Sequence, residues 1–341
     1  MKKCLIGMSG GVDSSVAARI MQERGYECVG CTMVLCGNEA TDDAKSVAEA
    51  LGMEFHVLHA AEAFKTHVMG DFARCYEEGA TPNPCIVCNR YLKFGVMLQK
   101  AQELGCDTIV TGHYAITQKD EKSSRFLLKK AKDPEKDQSY MLYRLTQEQL
   151  AHAVFPLGEM TKEQARKLAI EKRLVNANKP DSQDICFVPD GDYAGFLSSF
   201  TGKTPQKGNF VGTDGHIFGQ HKGIVHYTVG QRKGLGIAWE HPLYVLKIDP
   251  DTNTVILGKN EELFTRELTA KDVNLIAMET MEGQIRCRAK IRYRHKEQPC
   301  TAWMEGDTLK VLFDEPQRAV TPGQSVVLYD GDTVIGGGII V

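Results

Sequence analysis

The sequence predicts an α/β protein: a doubly wound parallel sheet, then a small β-rich central domain, then a C-terminal β-barrel. Three observations carry this. Residues 1 to about 115 alternate strand and helix signals, the rhythm of a parallel sheet whose ligands sit at the carboxyl ends of its strands. Past about 190, glycines from Gly202 to Gly236 punctuate short apolar runs, as in loop-rich β sequence. From about 262 onward, alternating runs at 284–293, 308–313 and 325–329 suit a small barrel. The divisions expected from these shifts are 1–192, 193–260 and 261–341.

The first strand is the apolar run around Lys3-Cys4-Leu5-Ile6-Gly7-Met8, which leads directly into Ser9-Gly10-Gly11-Val12-Asp13-Ser14-Ser15 and a helical stretch at 16–21. A strand that turns through glycines into a helix start is an anion cradle, because backbone amides and the helix dipole face the bound group. No Gly-Lys-Ser/Thr closes the loop, so it is not a Walker sequence. A strand over 28–35, a helix over 41–51, a strand over 54–58, a long helical region and the strand Thr108-Ile109-Val110-Thr111 follow. Gly112-His113-Tyr114 ends that last strand and so belongs to the ligand edge. Thr161-Lys162-Glu163-Gln164 opens a capped helix over 161–171.

At 341 residues the chain is long enough for two or three domains, and its 42% hydrophobic and 25% charged residues are those of an ordinary globular protein. No apolar run approaches ~20 residues, and the apolar start is too short for a secretory signal. Eleven cysteines without a scaffold rhythm then fit a reducing cytoplasm. A net charge of −3 gives no global pull toward nucleic acid, so such a partner needs local basic patches.

Thr81-Pro82-Asn83-Pro84-Cys85-Ile86-Val87-Cys88-Asn89-Arg90 places two thiols three apart, before a helical stretch at 91–100. A helix N-terminus with Arg90 and Lys93 nearby is expected to lower their pKa values. A third thiol, Cys186, ends the polar stretch Lys179-Pro180-Asp181-Ser182-Gln183-Asp184-Ile185. Three readings stay open: a nucleophile pair with a persulfide on Cys186, a three-cysteine iron–sulfur site on Cys85, Cys88 and Cys186, or buried structural cysteines. Cys28 and Cys31 belong to a strand with opposite-facing side chains and read as core. Cys36 has no supporting context. The stripe Lys290, Arg292, Arg294, His295 and Lys296, with Tyr293 interleaved, suits either nucleic acid or a solvated face. Lys129, Lys130 and Lys132 read as surface, and His56, His59 and His67 as surface or core.

The strings Ser-Gly-Gly-Val-Asp-Ser-Ser, Thr-Pro-Asn-Pro with Cys88-Asn89-Arg90, Thr111-Gly112-His113-Tyr114, Lys136-Asp137-Gln138-Ser139-Tyr140 and Asp181–Phe187 occur in order. Gly230-Gln231-Arg232-Lys233-Gly234, Ala289–Arg294 and Pro322-Gly323-Gln324 follow them. Together they resemble the tRNA-specific 2-thiouridylase family, PP-loop ATP pyrophosphatases, over essentially the whole length. The resemblance implies a tRNA-uridine sulfurtransferase acting on uridine 34 in Lys, Glu and Gln tRNAs: ATP adenylates the C2 oxygen, and sulfur then displaces AMP. It implies that Gly7, Met8, Ser9, Gly10, Gly11, Val12, Asp13, Ser14, Met33 and Gly112 hold ATP, Asp13 also helping to hold Mg2+. It further implies that Cys88 is the nucleophile, that Cys186 bears the persulfide, and that the two join as a disulfide when sulfur is released. Contacts to tRNA are implied for Asn83, Pro84, Cys85, His113, Lys136, Asp137, Gln138, Arg292, Tyr293 and Gln324. The implied sulfur donor is a persulfide relay protein, a cysteine desulfurase or free sulfide, with no membrane partner.

Position 85 departs from many family members, which carry Asp there. Cys85 makes a [4Fe-4S] cluster on Cys85, Cys88 and Cys186 the competing expectation, with exogenous sulfide on the open iron. A PP-loop ligase acting on a small metabolite needs the ATP loop alone, and tRNA-dependent AMP formation separates it. A non-enzymatic metal- or RNA-binding module would leave the Ser9–Ser15 loop without purpose.

Overall fold

The computed structural model describes residues 2–37, 41–179 and 185–341. Its strands begin with β1 (Lys3–Gly7), β2 (Glu27–Val34), β3 (Glu54–His59) and β4 (Thr108–Val110). A hairpin of β5 (Ile116–Lys119) and β6 (Phe126–Lys129) follows, then β7 (Ala153–Val154). β1 to β4 and β7 form one parallel sheet in the order β3-β2-β1-β4-β7. The chain winds outward in opposite directions from β1, so the crevice between the carboxyl ends of β1 and β4 is the switch point where such sheets take ligands.

Both faces of this sheet are buried. Cys4, Ile6, Cys28 and Val110 pack under the helices Val12–Glu23 and Thr41–Ala50. Leu5, Val29, Cys31 and Ile109 pack against Phe94, Met97 and Leu98 on the other face. Cys28 and Cys31 therefore do face opposite ways, and both are core.

One expectation is corrected here. The helix after the prolines starts at Pro84 rather than at 91: Pro84–Cys88 is α-helical and Asn89–Val96 a π-helical stretch, continuing into the α-helix Met97–Glu103. Pro84 takes the first helical position, where a missing amide costs nothing. Cys85 and Cys88 thus lie at the second and fifth residues of this helix.

The central region opens with the helix Tyr193–Thr201, capped by the Asp192 carboxylate, which the glycine-rich reading did not foresee. It continues through β8 (Gly208–Gly212), β9 (Ile217–His221), β10 (Tyr244–Asp249) and β11 (Thr254–Gly258), paired in the order β10-β11-β8-β9 around Phe210, Tyr227 and Val245. β12 (Phe264–Leu275), β13 (Ile285–Lys290), β14 (Gln298–Glu305), β15 (Thr308–Arg318), β16 (Ser325–Asp330) and β17 (Thr333–Ile340) complete the chain. They form a six-stranded barrel, closed where β17 returns to β12. The run at 284–293 leaves the sheet at Lys290, so Arg292 to Lys296 form a turn at the barrel rim rather than a strand face.

The regions are joined by buried polar contacts. β6 adds to the barrel through Lys129 opposite Thr333. The Tyr140 hydroxyl donates to the Ser325 carbonyl at 2.8 Å, and Arg125 donates to the carbonyls of Leu275 and Ile276. Among the described residues, no helix is long and apolar enough to cross a membrane.

Candidate active site

The Ser9–Ser15 turn wraps the N-terminus of the helix Val12–Glu23. Gly10 takes φ +70°, the Ser14 and Ser15 hydroxyls donate back to the Gly11 carbonyl at 3.0 Å, and the Ser9 amide donates to the Ser14 Oγ at 3.3 Å. Gly112 closes the turn from the next strand: a Cβ there would lie 2.8 Å from the backbone of Asp13 and Ser14. Only glycine allows that approach. Gly7, Met8, Ser9, Gly11, Val12, Asp13 and Ser14, with Met33 and Gly112, line one cleft of 2010 Å³. Gly10 sits just behind it, its carbonyl accepting from Asn176 at 3.0 Å.

Asp13 already has partners. Lys162 donates to both carboxylate oxygens at 2.8 Å, and the Tyr114 hydroxyl donates to one at 2.9 Å. A magnesium ion on Asp13 would have to displace the Lys162 ammonium, so these side chains as placed do not fit a metal there. Lys162 is the residue that sequence reading missed. The signal was present: a lysine in the first turn of a helix works against the helix dipole, and so asks for an anionic partner.

The thiols line the same cleft. Cys85 and Cys186 are exposed to it, while Cys88 is buried beside Phe64 and Val87. Phe187 anchors Cys186, its ring lying 5.5 Å from Phe64 and 5.2 Å from Phe72. Asp181 to Asp184 lie outside the described residues. The expected lowering of the thiol pKa values is corrected. Burial pushes Cys88 up to about 11 against the pull of Lys93, and raises Cys85 in the same way. Burial and the sulfurs of Cys88, Cys36 and Cys85 push Cys186 up to about 12. Desolvation outweighs the one nearby cation. Among the described residues, no group of three His, Cys, Asp or Glu side chains is placed to hold a metal ion. Cys85, Cys88 and Cys186 nonetheless line one cleft, and the chemistry below is written for them as thiols.

The other expected site residues divide. Pro84, His113, Lys136, Asp137, Gln138 and Tyr293 line the cleft; Asn83, Arg292 and Gln324 do not. His113 is wedged between Phe94 and Phe155, with Nδ1 2.7 Å from the Thr111 hydroxyl, and burial holds its pKa well below the usual histidine range. The buried Asp137 carboxylate accepts from the amides of Ala131 and Ser139 and from the Ser139 hydroxyl. The Gln138 carbonyl oxygen accepts from the Tyr114 amide. Asn83 reaches the Met141 sulfur at 3.5 Å. Arg292 donates to Val229, Ala319 and Thr321, and Gln324 donates to the Thr81 carbonyl at 2.7 Å. Both therefore sit where the three regions meet. Arg294, His295 and Lys296 carry the barrel's positive rim along the cleft, which Lys132 and Lys136 also line. Lys130 is not idle surface: it donates to Glu297 at 2.9 Å and lies 4.7 Å from the Tyr329 ring centre.

Residues 2–190 match the tRNA methyl transferase HUP domain family, 194–259 the tRNA methyl transferase PRC-barrel domain and 265–340 the aminomethyltransferase beta-barrel domain. A relative from Clostridioides difficile (strain 630), named tRNA-specific 2-thiouridylase MnmA, is 51% identical over 353 residues, covering 99% of this chain and 98% of its own. Relatives of the same name from Acetivibrio thermocellus and Lachnoclostridium phytofermentans are 52% and 48% identical, over 99% and 100% of both chains. With identity at that level from end to end, and with the glycine turn, the thiols and the basic rim on one cleft, this chain belongs to the tRNA-specific 2-thiouridylase family.

Proposed function

We propose that the chain replaces the C2 oxygen of a tRNA uridine with sulfur at the expense of ATP, the target being uridine 34 of the Lys, Glu and Gln tRNAs. One observation carries this reading: a single cleft joins an anion-binding turn, the thiols Cys85, Cys88 and Cys186, and a cationic rim around Tyr293. A small-metabolite ligase would need only the first of these. The rim suits a phosphate backbone, and Tyr293 suits stacking of a base lifted out of the anticodon.

In this reading the amides and hydroxyls of Ser9–Ser14 take the pyrophosphate end of ATP, and Met33 and Gly112 flank the nucleoside. Magnesium carried by the nucleotide would neutralise phosphate charge. The uridine O2 attacks the α-phosphorus and pyrophosphate leaves, which turns a poor leaving group into AMP. The terminal sulfur of a Cys186 persulfide then forms the bond to C2, and AMP departs with the oxygen. The Cys88 thiolate attacks the Cys186 sulfur, breaks the sulfur–sulfur bond and leaves sulfur on the base. Electrons balance: the sulfane sulfur gains the two electrons that the thiols of Cys88 and Cys186 lose in forming a disulfide. A persulfide relay protein or a cysteine desulfurase supplies the sulfane sulfur.

Cys186→Ser, assayed anaerobically with ATP, tRNA and a persulfide donor, is expected to release pyrophosphate but make no 2-thiouridine. Product at the native rate would overturn the assignment of Cys186.

A further inference from the structure

The mechanism above uses two thiols, yet five cysteines line the cleft: Cys31, Cys36, Cys85, Cys88 and Cys186. Cys36 follows the carboxyl end of β2 and is exposed on the cleft wall shared with Cys85, Cys88 and Cys186. Cys36 and Cys186 thus open onto the same space as Cys85 and Cys88. They differ in access. Cys36, Cys85 and Cys186 are exposed, whereas Cys31 is core and Cys88 is buried in an apolar wall with Phe64, Leu92 and Val68.

That difference matters after turnover. A disulfide between Cys88 and Cys186 has one buried sulfur and one accessible sulfur, so an incoming thiolate can reach only the Cys186 end. Exchange proceeds by attack on the accessible sulfur and departure of the other. We propose that Cys36 is the resolving thiol of this cleft, attacking Cys186 to free Cys88 and carrying the disulfide to the surface as Cys36–Cys186. The step balances without an added oxidant: the Cys36–Cys186 bond forms, the Cys186–Cys88 bond breaks, and the electron pair leaves on Cys88. A soluble dithiol then reduces the exposed Cys36–Cys186 pair with two electrons. The proposal rests on the reading that sulfur transfer leaves a Cys88–Cys186 disulfide.

The test uses the full chain, reduced and then freed of reductant, allowed one turnover with ATP, tRNA and a persulfide donor. Free thiols are alkylated and the disulfide-linked peptides are mapped. The wild type is expected to show a Cys36–Cys186 peptide rising as Cys88–Cys186 falls. In Cys36→Ser and Cys36→Ala the bond should stay on Cys88, and turnover at limiting dithiol should fall at least about fivefold relative to each variant's own first turnover. Persistent Cys88–Cys186 in the wild type, with steady turnover equal in all three proteins, overturns the role of Cys36. If 2-thiouridine forms with no disulfide at Cys186 at all, the disulfide reading beneath it falls as well, and the two failures are told apart by which peptide is missing.

Discussion

Cys88 shows how a functional side chain is tuned against its reactivity. Its thiol is buried and held up to about 11, so little thiolate exists near neutrality. Because the folded-state pKa is raised, the reactive form grows as pH rises toward that value. Alkylation of Cys88 in the free enzyme should therefore increase about tenfold per pH unit between pH 7 and 9. A plateau below pH 9, read by mass spectrometry of the labelled peptide, would contradict this burial account. His113 behaves oppositely: burial lowers its pKa, so the ring stays neutral through physiological pH. Lys162 is the second residue of consequence, because its ammonium donates to both oxygens of Asp13. Lys162→Met should slow tRNA-dependent AMP formation at least about tenfold, a loss of roughly 1.4 kcal/mol or more. Native rates would mean that the pair plays no part in ATP turnover.

The elements that carry the site were legible to different degrees. The glycine turn was readable because strand, glycines and helix start lie together in sequence, and Thr161 with Gln164 caps its helix reciprocally as the spacing implied. The start of the cysteine helix was misplaced, because prolines usually read as a break and here Pro84 opens the helix. Cys36 was not legible as a site residue, and the first-turn position of Lys162 asked for an anion without naming it, since only the parallel winding brings β2 and the helix Lys162–Glu171 to the same edge. Gly112 tests the element directly. A methyl group at Gly112 must push the Asp13–Ser14 backbone away from β4, so Gly112→Ala should weaken ATP binding at least about tenfold while leaving tRNA affinity intact. Equal ATP affinity by calorimetry would place the nucleotide elsewhere.

At the scale of the whole molecule, three regions meet at one polar junction. The Thr81 amide donates to the Pro322 carbonyl at 2.8 Å, the Thr81 hydroxyl meets Thr228 at 3.2 Å, and Arg292 spans Val229, Ala319 and Thr321. The junction lies immediately before the cysteine helix, so the barrel and the thiols hold a fixed relation. Composition alone could not locate it, because each contact joins residues far apart in the chain. The structure alters what Arg292 is expected to do. Arg292→Ala should cost about 2 kcal/mol of stability, from hydrogen bonds of a charged donor, and leave the salt slope of tRNA binding unchanged. Arg294→Ala, at the exposed rim, should flatten that slope by about one phosphate contact. A flattened slope in Arg292→Ala would place its guanidinium on the tRNA backbone instead.

Whether one cleft performs both ATP activation and sulfur transfer is decided by measuring AMP and 2-thiouridine together, with and without tRNA, using anaerobic protein and a persulfide donor. AMP release is expected to require tRNA and to be matched mole for mole by 2-thiouridine, in protein carrying little iron. Rapid AMP release without tRNA would point to a small-molecule ligase. Activity that tracks about four irons per chain, and is lost with them in Cys85→Ala, would contradict the thiol mechanism.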